Sequence, residues 1–114
     1  MPCIQTTTSA AISAENRKTL EKRFGKAIEF FPGKTERWLM LTFADNTPVC
    51  MAGDGETPAA FVEVSLLGRS DRAHFERMTK ELCAILSDVL SIRPDRVYVK
   101  YTEVDHWGWN GGNF

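Results

Sequence analysis

The sequence predicts an α+β fold in which a four-stranded sheet carries two helices on one face. Three observations lead there. Two long stretches hold apolar residues at helical spacing, short segments of strand character flank each of them, and the chain repeats its own pattern. A shift that lays Ser13 on Asp71 also lays Leu20 on Met78, Phe24 on Leu82 and Ile28 on Leu86. Further on it lays Leu39 on Val97, Leu41 on Val99 and Phe43 on Tyr101. Each half therefore reads strand, helix, strand, and a β-α-β unit used twice gives the sheet.

The elements follow in order. Cys3 to Thr8 is a short threonine-rich strand. Ser13 caps a helix running to Phe31, with Leu20, Phe24, Ala27, Ile28 and Phe31 on its apolar face and Pro32-Gly33 as its stop. Arg37 to Phe43 is the next strand. It is apolar on both alternation sets, Trp38 and Met40 on one and Leu39, Leu41 and Phe43 on the other. Val49 to Ala52 is a brief strand, and Ala60 to Leu67 alternates Ala60, Val62, Val64 and Leu66 against Glu63 and Ser65. Asp71 caps a second helix that runs to about Ser91 along Phe75, Met78, Leu82, Ile85, Leu86, Val89 and Leu90. Pro94 bars its continuation. Val97 to Thr102 is the last strand. The tail from Trp107 to Phe114 resembles neither a helix nor a normal strand, and either packs on a neighbouring subunit or lines an aromatic pocket.

Two helices cover one face of a sheet, yet Arg37–Phe43 is apolar on both. A bare apolar face on a chain of 114 residues predicts a cover, and a second copy is the simplest one. A homo-oligomer is expected from the pattern alone.

Length and balance bound the rest. A chain of this size reads as one domain, 1–114. A net charge of −1, with lysines and arginines dispersed, gives no electrostatic handle for nucleic acid or an anionic membrane. No membrane span or signal peptide is recognisable, so a cytoplasmic protein is expected, unless it is released by a route without a sequence mark. Cys3, Cys50 and Cys83 lack the pairing of a disulfide framework and the spacing of a zinc site, and read as buried free thiols. No cofactor or metal is expected.

The chemistry-bearing candidates begin with Met1-Pro2. A small second residue lets the initiator methionine be removed, and the proline nitrogen then becomes a secondary amine. An α-amino group titrates near pH ~8, and burial or a nearby cation lowers it toward the value of a useful general base. Lys34, after Pro32-Gly33, sets a cation at the head of a strand. Ser65-Leu66-Leu67-Gly68 ends a strand with backbone N–H groups that can meet an anion. His74, on the polar side of the second helix, and His106 have no partners at ligand spacing and read as surface histidines. Neither a phosphate-binding loop nor a Ser/His/Asp order is present.

Together these features resemble the family of macrophage migration inhibitory factor and D-dopachrome tautomerase, along the whole chain. The most specific stretch is Ser91-Ile92-Arg93-Pro94-Asp95-Arg96-Val97-Tyr98-Val99. Pro2, Gly33-Lys34, Pro58, Leu67-Gly68 and Gly108-Trp109-Asn110 also fall in order. The resemblance implies a homotrimer with active sites between subunits, and keto–enol tautomerisation of aryl pyruvates such as phenylpyruvate. It implies Pro2 as the proton shuttle and Lys34 with the Leu67 N–H as the carboxylate clamp. Tyr98 of a neighbouring chain would form a wall, and Trp107, Trp109 and Phe114 the aromatic end.

Departures are equally specific. Ala59-Ala60-Phe61-Val62 stands where the better-known mammalian member has Cys-x-x-Cys, so no thiol oxidoreductase activity is expected. Lys100 replaces a pocket asparagine and Trp107 a valine, which makes the mouth bulkier and more cationic; Ser9 replaces an asparagine without derivable consequence. The alternative function is a secreted cytokine-like or host-modulating binding protein with a vestigial pocket, engaging a cell-surface receptor if exported. Other reactions of the wider superfamily generally add an arginine-rich pocket, and Arg37, Arg69 and Arg93 read here as scattered.

Overall fold

Along β1 (Pro2–Thr8) every second residue is buried, as a strand covered on one face requires. The computed structural model describes residues 1–114. After β1 comes α1 (Ala14–Ala27), whose amino end is capped by Ser13. Its hydroxyl accepts the Asn16 N–H at 3.0 Å. The apolar stripe continues to Phe31, but its last turn tightens into a 3-10 turn over Ile28–Phe30. Gly33, at φ +78°, carries the chain out of it.

The remaining elements are β2 (Met40–Ala44), β3 (Ala60–Leu67), α2 (Arg72–Leu90) and β4 (Val97–Val104). A small hairpin of β5 (Gly108–Trp109) and β6 (Gly112–Asn113) ends the chain. The sheet order is β2-β1-β3-β4. β1 with β2 and β3 with β4 run parallel, while β1 and β3 pair antiparallel. These are the two expected β-α-β units, set head to tail. One core of 17 buried residues unites them, with Leu20, Phe24 and Ile28 from the first half and Met78, Leu82 and Leu86 from the second. The residues matched by the sequence repeat thus meet over Ile4, Val62, Val64 and Leu66.

Several expectations are corrected. The segment expected as a strand from Arg37 begins as a 3-10 turn over Glu36–Trp38, and the strand starts only at Met40. Trp38 therefore leaves the sheet, and the uncovered side of β2 presents Met40, Thr42 and Ala44. The bare face exists but is mixed. Met40 and Tyr98 are 64% and 66% exposed, among polar neighbours such as Gln5, Thr42, Glu63 and Lys100.

Val49–Ala52 is no strand; a lone bridge between Met51 and Asp54 closes a turn there. Arg96, only 6% exposed, donates to the carbonyls of Met51 (2.7 Å), Asp54 (2.9 Å) and Thr57 (2.9 Å), which pins that loop to the head of β4. Asp71 stands at the α2 amino end, but its carboxylate caps nothing; its main-chain carbonyl accepts the His74 N–H at 3.0 Å. The tail does form strands, since Asn110-Gly111 adopt positive φ at both centres of a tight turn. The thiols are free but not buried: Cys50 is exposed on its loop, and Cys3 and Cys83 are half-buried.

Candidate functional site

The antiparallel register lays Pro2 opposite Leu66, which brings the amino terminus against the turn at Leu67-Gly68. The Leu67 N–H donates to the Met1 carbonyl at 3.0 Å. The Lys34 Nζ, delivered by the turn after α1, donates to the Leu67 carbonyl at 2.8 Å. Leu67 is thus engaged at both main-chain groups, by the terminus on one side and the lysine on the other.

Pro2 is buried. Burial, then the charge of Lys34, then hydrogen bonding by Lys34 lower the pKa of the terminal amine on Met1 from 8.0 to about 6. All three causes act in one direction, because each disfavours a second ammonium here. The amine in this corner is therefore largely neutral at pH 7.

Beside the terminus opens a cleft of about 310 Å³, floored by Pro2 and Cys3 and walled by Trp38, Trp107 and Trp109. The terminal hairpin builds the wall. Trp38 meets Trp109 edge-on at 5.0 Å and Phe114 at 5.9 Å, and Trp109 stacks on Phe114 at 5.8 Å. The Phe114 N–H donates to the Trp107 carbonyl at 3.1 Å and closes the hairpin on itself. A second concavity of about 210 Å³ lies on the far side of Lys34 and Leu67, with Arg69, Ser70 and His74 at its rim.

The structure brings Pro2, Lys34, Leu67, Trp107, Trp109 and Phe114 into one neighbourhood. It does not bring Tyr98 and Lys100. Pro2 is level with Leu66 and hence with Glu103 of β4, whereas Tyr98 pairs with Phe61. Five residues of strand separate Glu103 from Tyr98, about 16 Å at ~3.3 Å per residue. Lys100 instead faces Glu63 at 3.7 Å on the uncovered sheet face.

Trp38 and Arg37 line the cleft and were not among the expected site residues. Reading them as strand hid them, although an aromatic residue soon after Lys34 was a usable signal. His74 is not a plain surface histidine. It is half-buried, its Nδ1 lies 2.8 Å from the Ser70 hydroxyl, and its ring meets Phe31 at 6.4 Å. His106 is exposed, as expected. No helix is long and apolar enough to cross a membrane.

Comparison with known proteins places the chain as a whole. The family model described as "Macrophage migration inhibitory factor (MIF)" matches residues 1–114. Macrophage migration inhibitory factor of Rattus norvegicus is 31% identical over 84 residues, 72% of this chain and 72% of that protein. The crystal structure of Leishmania major MIF2 matches with a TM-score of 0.93 and 33% identity, covering 100% of this chain and 97% of that one. That of the homologue from Prochlorococcus marinus matches with a TM-score of 0.83 and 26% identity, covering 98% of each chain.

Proposed function

This chain belongs to the macrophage migration inhibitory factor family, and from that premise we propose that it is a keto–enol tautomerase of aryl pyruvates whose base is Pro2. The observation that carries the reading is the placement of the chain terminus, Met1-Pro2, beside Lys34 and Leu67 at an aromatic cleft, where burial and Lys34 lower the Met1 amine to about 6.

Removal of Met1 makes the Pro2 nitrogen a secondary amine in the same desolvated, cationic corner. Neutral at pH 7, it takes a proton from the carbon next to the ketone, and a proton is delivered to the ketone oxygen. One C–H bond breaks, one O–H bond forms, and the product is the enol isomer. Removing Met1 also frees the Leu67 N–H, which now donates to the Met1 carbonyl. That oxygen stands in for a carboxylate oxygen of the substrate, and the Lys34 ammonium supplies the matching charge. Trp107, Trp109 and Phe114 take the aryl ring.

The same reading includes a homotrimer. Tyr98 and Lys100 cannot reach Pro2 within one chain, and both lie on the uncovered sheet face. A neighbouring copy seated on that face supplies Tyr98 as the missing wall and Lys100 as a further cation.

The test is phenylpyruvate enol–keto interconversion by the wild type and Pro2→Gly, with the intact mass of each determined first. The wild type lacks Met1 and turns over the substrate, and Pro2→Gly is slower by about 10²-fold or more. Equal rates in the two proteins would remove Pro2 from the mechanism, and a retained Met1 would leave an amide nitrogen without basicity.

A second reading rests on the relatives' own name, which describes an effect on macrophage migration. In it the chain acts outside the cell as a signalling protein binding a surface receptor. Receptor binding undiminished in the inactive Pro2→Gly protein would favour that role, and binding lost with activity would count against it.

A further inference from the structure

The Pro2 cleft is lined by ten residues, none of them acidic, and Arg37 is its one charged side chain. Four of the surface arginines, Arg23, Arg69, Arg72 and Arg93, are neutralised locally by a carboxylate within 4.0 Å, whereas Arg17, Arg77 and Arg37 have no carboxylate partner. The Arg37 guanidinium lies over the face of Trp38, with Cζ 5.1 Å from the ring centroid. Trp38 is itself braced edge-on by Trp109 and Phe114. A guanidinium stacked on a braced indole loses little further freedom when it binds, and its planar fork matches a carboxylate.

The placement follows from local structure. The 3-10 turn Glu36–Trp38 lifts Arg37 and Trp38 off the sheet edge and over the cleft. Had the strand begun at Arg37, alternation would have set the two side chains on opposite faces. Arg37 is thus a cation on the aromatic wall of the cleft, while Lys34 lies outside its lining, across the terminus and bonded to Leu67.

We infer that Arg37 is a specificity residue for a second acid group, and that the preferred substrates are aryl 2-keto acids carrying a carboxylate at the end remote from the keto acid. The inference rests on the tautomerase reading and narrows its substrate class. With the keto acid clamped at Lys34 and Leu67 and the ring on Trp107 and Trp109, a group on the far edge of the ring would enter the cleft that Arg37 also lines. A carboxylate there gains a forked, charge-assisted contact, with no acidic lining residue to oppose it.

The experiment compares phenylpyruvate with its 4-carboxy derivative in the wild type, Arg37→Gln and Arg37→Lys. The ratio of kcat/KM for the diacid over phenylpyruvate falls about five- to tenfold in Arg37→Gln, through KM rather than kcat. Arg37→Lys restores part of it, since charge returns without the fork. In the wild type the ratio also falls with added salt, because the contact lies at an open mouth. A ratio unchanged in Arg37→Gln, or a loss carried by kcat alone, overturns the inference while leaving the tautomerase standing. A wild type inert toward both substrates overturns the tautomerase reading and this inference with it.

Discussion

Replacing Lys34 by methionine separates two roles that one ammonium serves. The thioether keeps the length and much of the packing of this half-buried side chain, and removes only the charge and its hydrogen bonds. The Met1 amine beside it is lowered from 8.0 to about 6, with burial as the largest cause and Lys34 as the next two, and the Pro2 amine exposed by loss of Met1 meets the same burial and the same charge. Without Lys34 the pKa rises but stays below 8.0, because burial remains. The magnitude is bounded on both sides. An amine of pKa about 6 is neutral by roughly ten to one at pH 7, and one of pKa 8.0 is protonated by the same ratio. Altered ionisation therefore costs at most about tenfold at pH 7 and almost nothing at pH 9. Whatever loss persists at pH 9 measures the missing carboxylate clamp, about 10- to 100-fold for a charge-assisted contact. The assay is the pH profile of kcat/KM for phenylpyruvate. In the wild type it rises through a limb set by the Pro2 amine, lowered by burial and by Lys34, and flattens above, since the neutral amine is the active form. In Lys34→Met that limb moves up and the plateau drops. A limb left at its wild-type position would refute the electrostatic coupling, and an undiminished plateau would refute the clamp.

Three further predictions concern the scaffold. The Thr6 hydroxyl is buried in β1 without a hydrogen-bond partner, so Thr6→Val stabilises by about 1 kcal/mol, read as a higher urea midpoint with unchanged slope. A lower midpoint would mean that the hydroxyl has a partner after all. Arg96→Met strips the loop carbonyls of Met51, Asp54 and Thr57 of their donor, and costs on the order of 3 kcal/mol. Hydrogen exchange should quicken between residues 51 and 58 before it does in the helices. The proposed homotrimer predicts a light-scattering mass of three times 12.8 kDa at micromolar concentration; a single-chain mass would sink the trimer and the role of Tyr98 with it.

Much of the fold was legible because it is written in periodicity. Leu20, Phe24 and Ile28, like Met78, Leu82 and Leu86, repeat at helical spacing, and β3 alternates over its full length from Ala60 to Leu67. Such signals survive because burial on one face constrains every residue of the element. The failures fall where apolar residues serve something other than the sheet. Trp38 was read into a strand because it is apolar, but its partners are Trp109 and Phe114, more than 70 positions away in the chain. Val49–Ala52 was read as a strand because it is apolar, but Arg96 holds it as a turn. Asn110-Gly111, by contrast, carried a hairpin signal that the glycine-rich surroundings masked.

The sequence by itself determined the doubled β-α-β plan, the two helices and the candidacy of Pro2, Lys34 and Leu67, all of which rest on local spacing or residue type. Only the tertiary structure decided what surrounds them. It set the Leu67 N–H on the Met1 carbonyl, put Lys34 beside the terminal amine, turned Arg37 and Trp38 over the cleft, and left Tyr98 out of reach of Pro2. The reason is physical. A side chain's chemistry depends on its neighbours' charge and on lost water, and those neighbours come from strand pairing and turn geometry that no local pattern encodes.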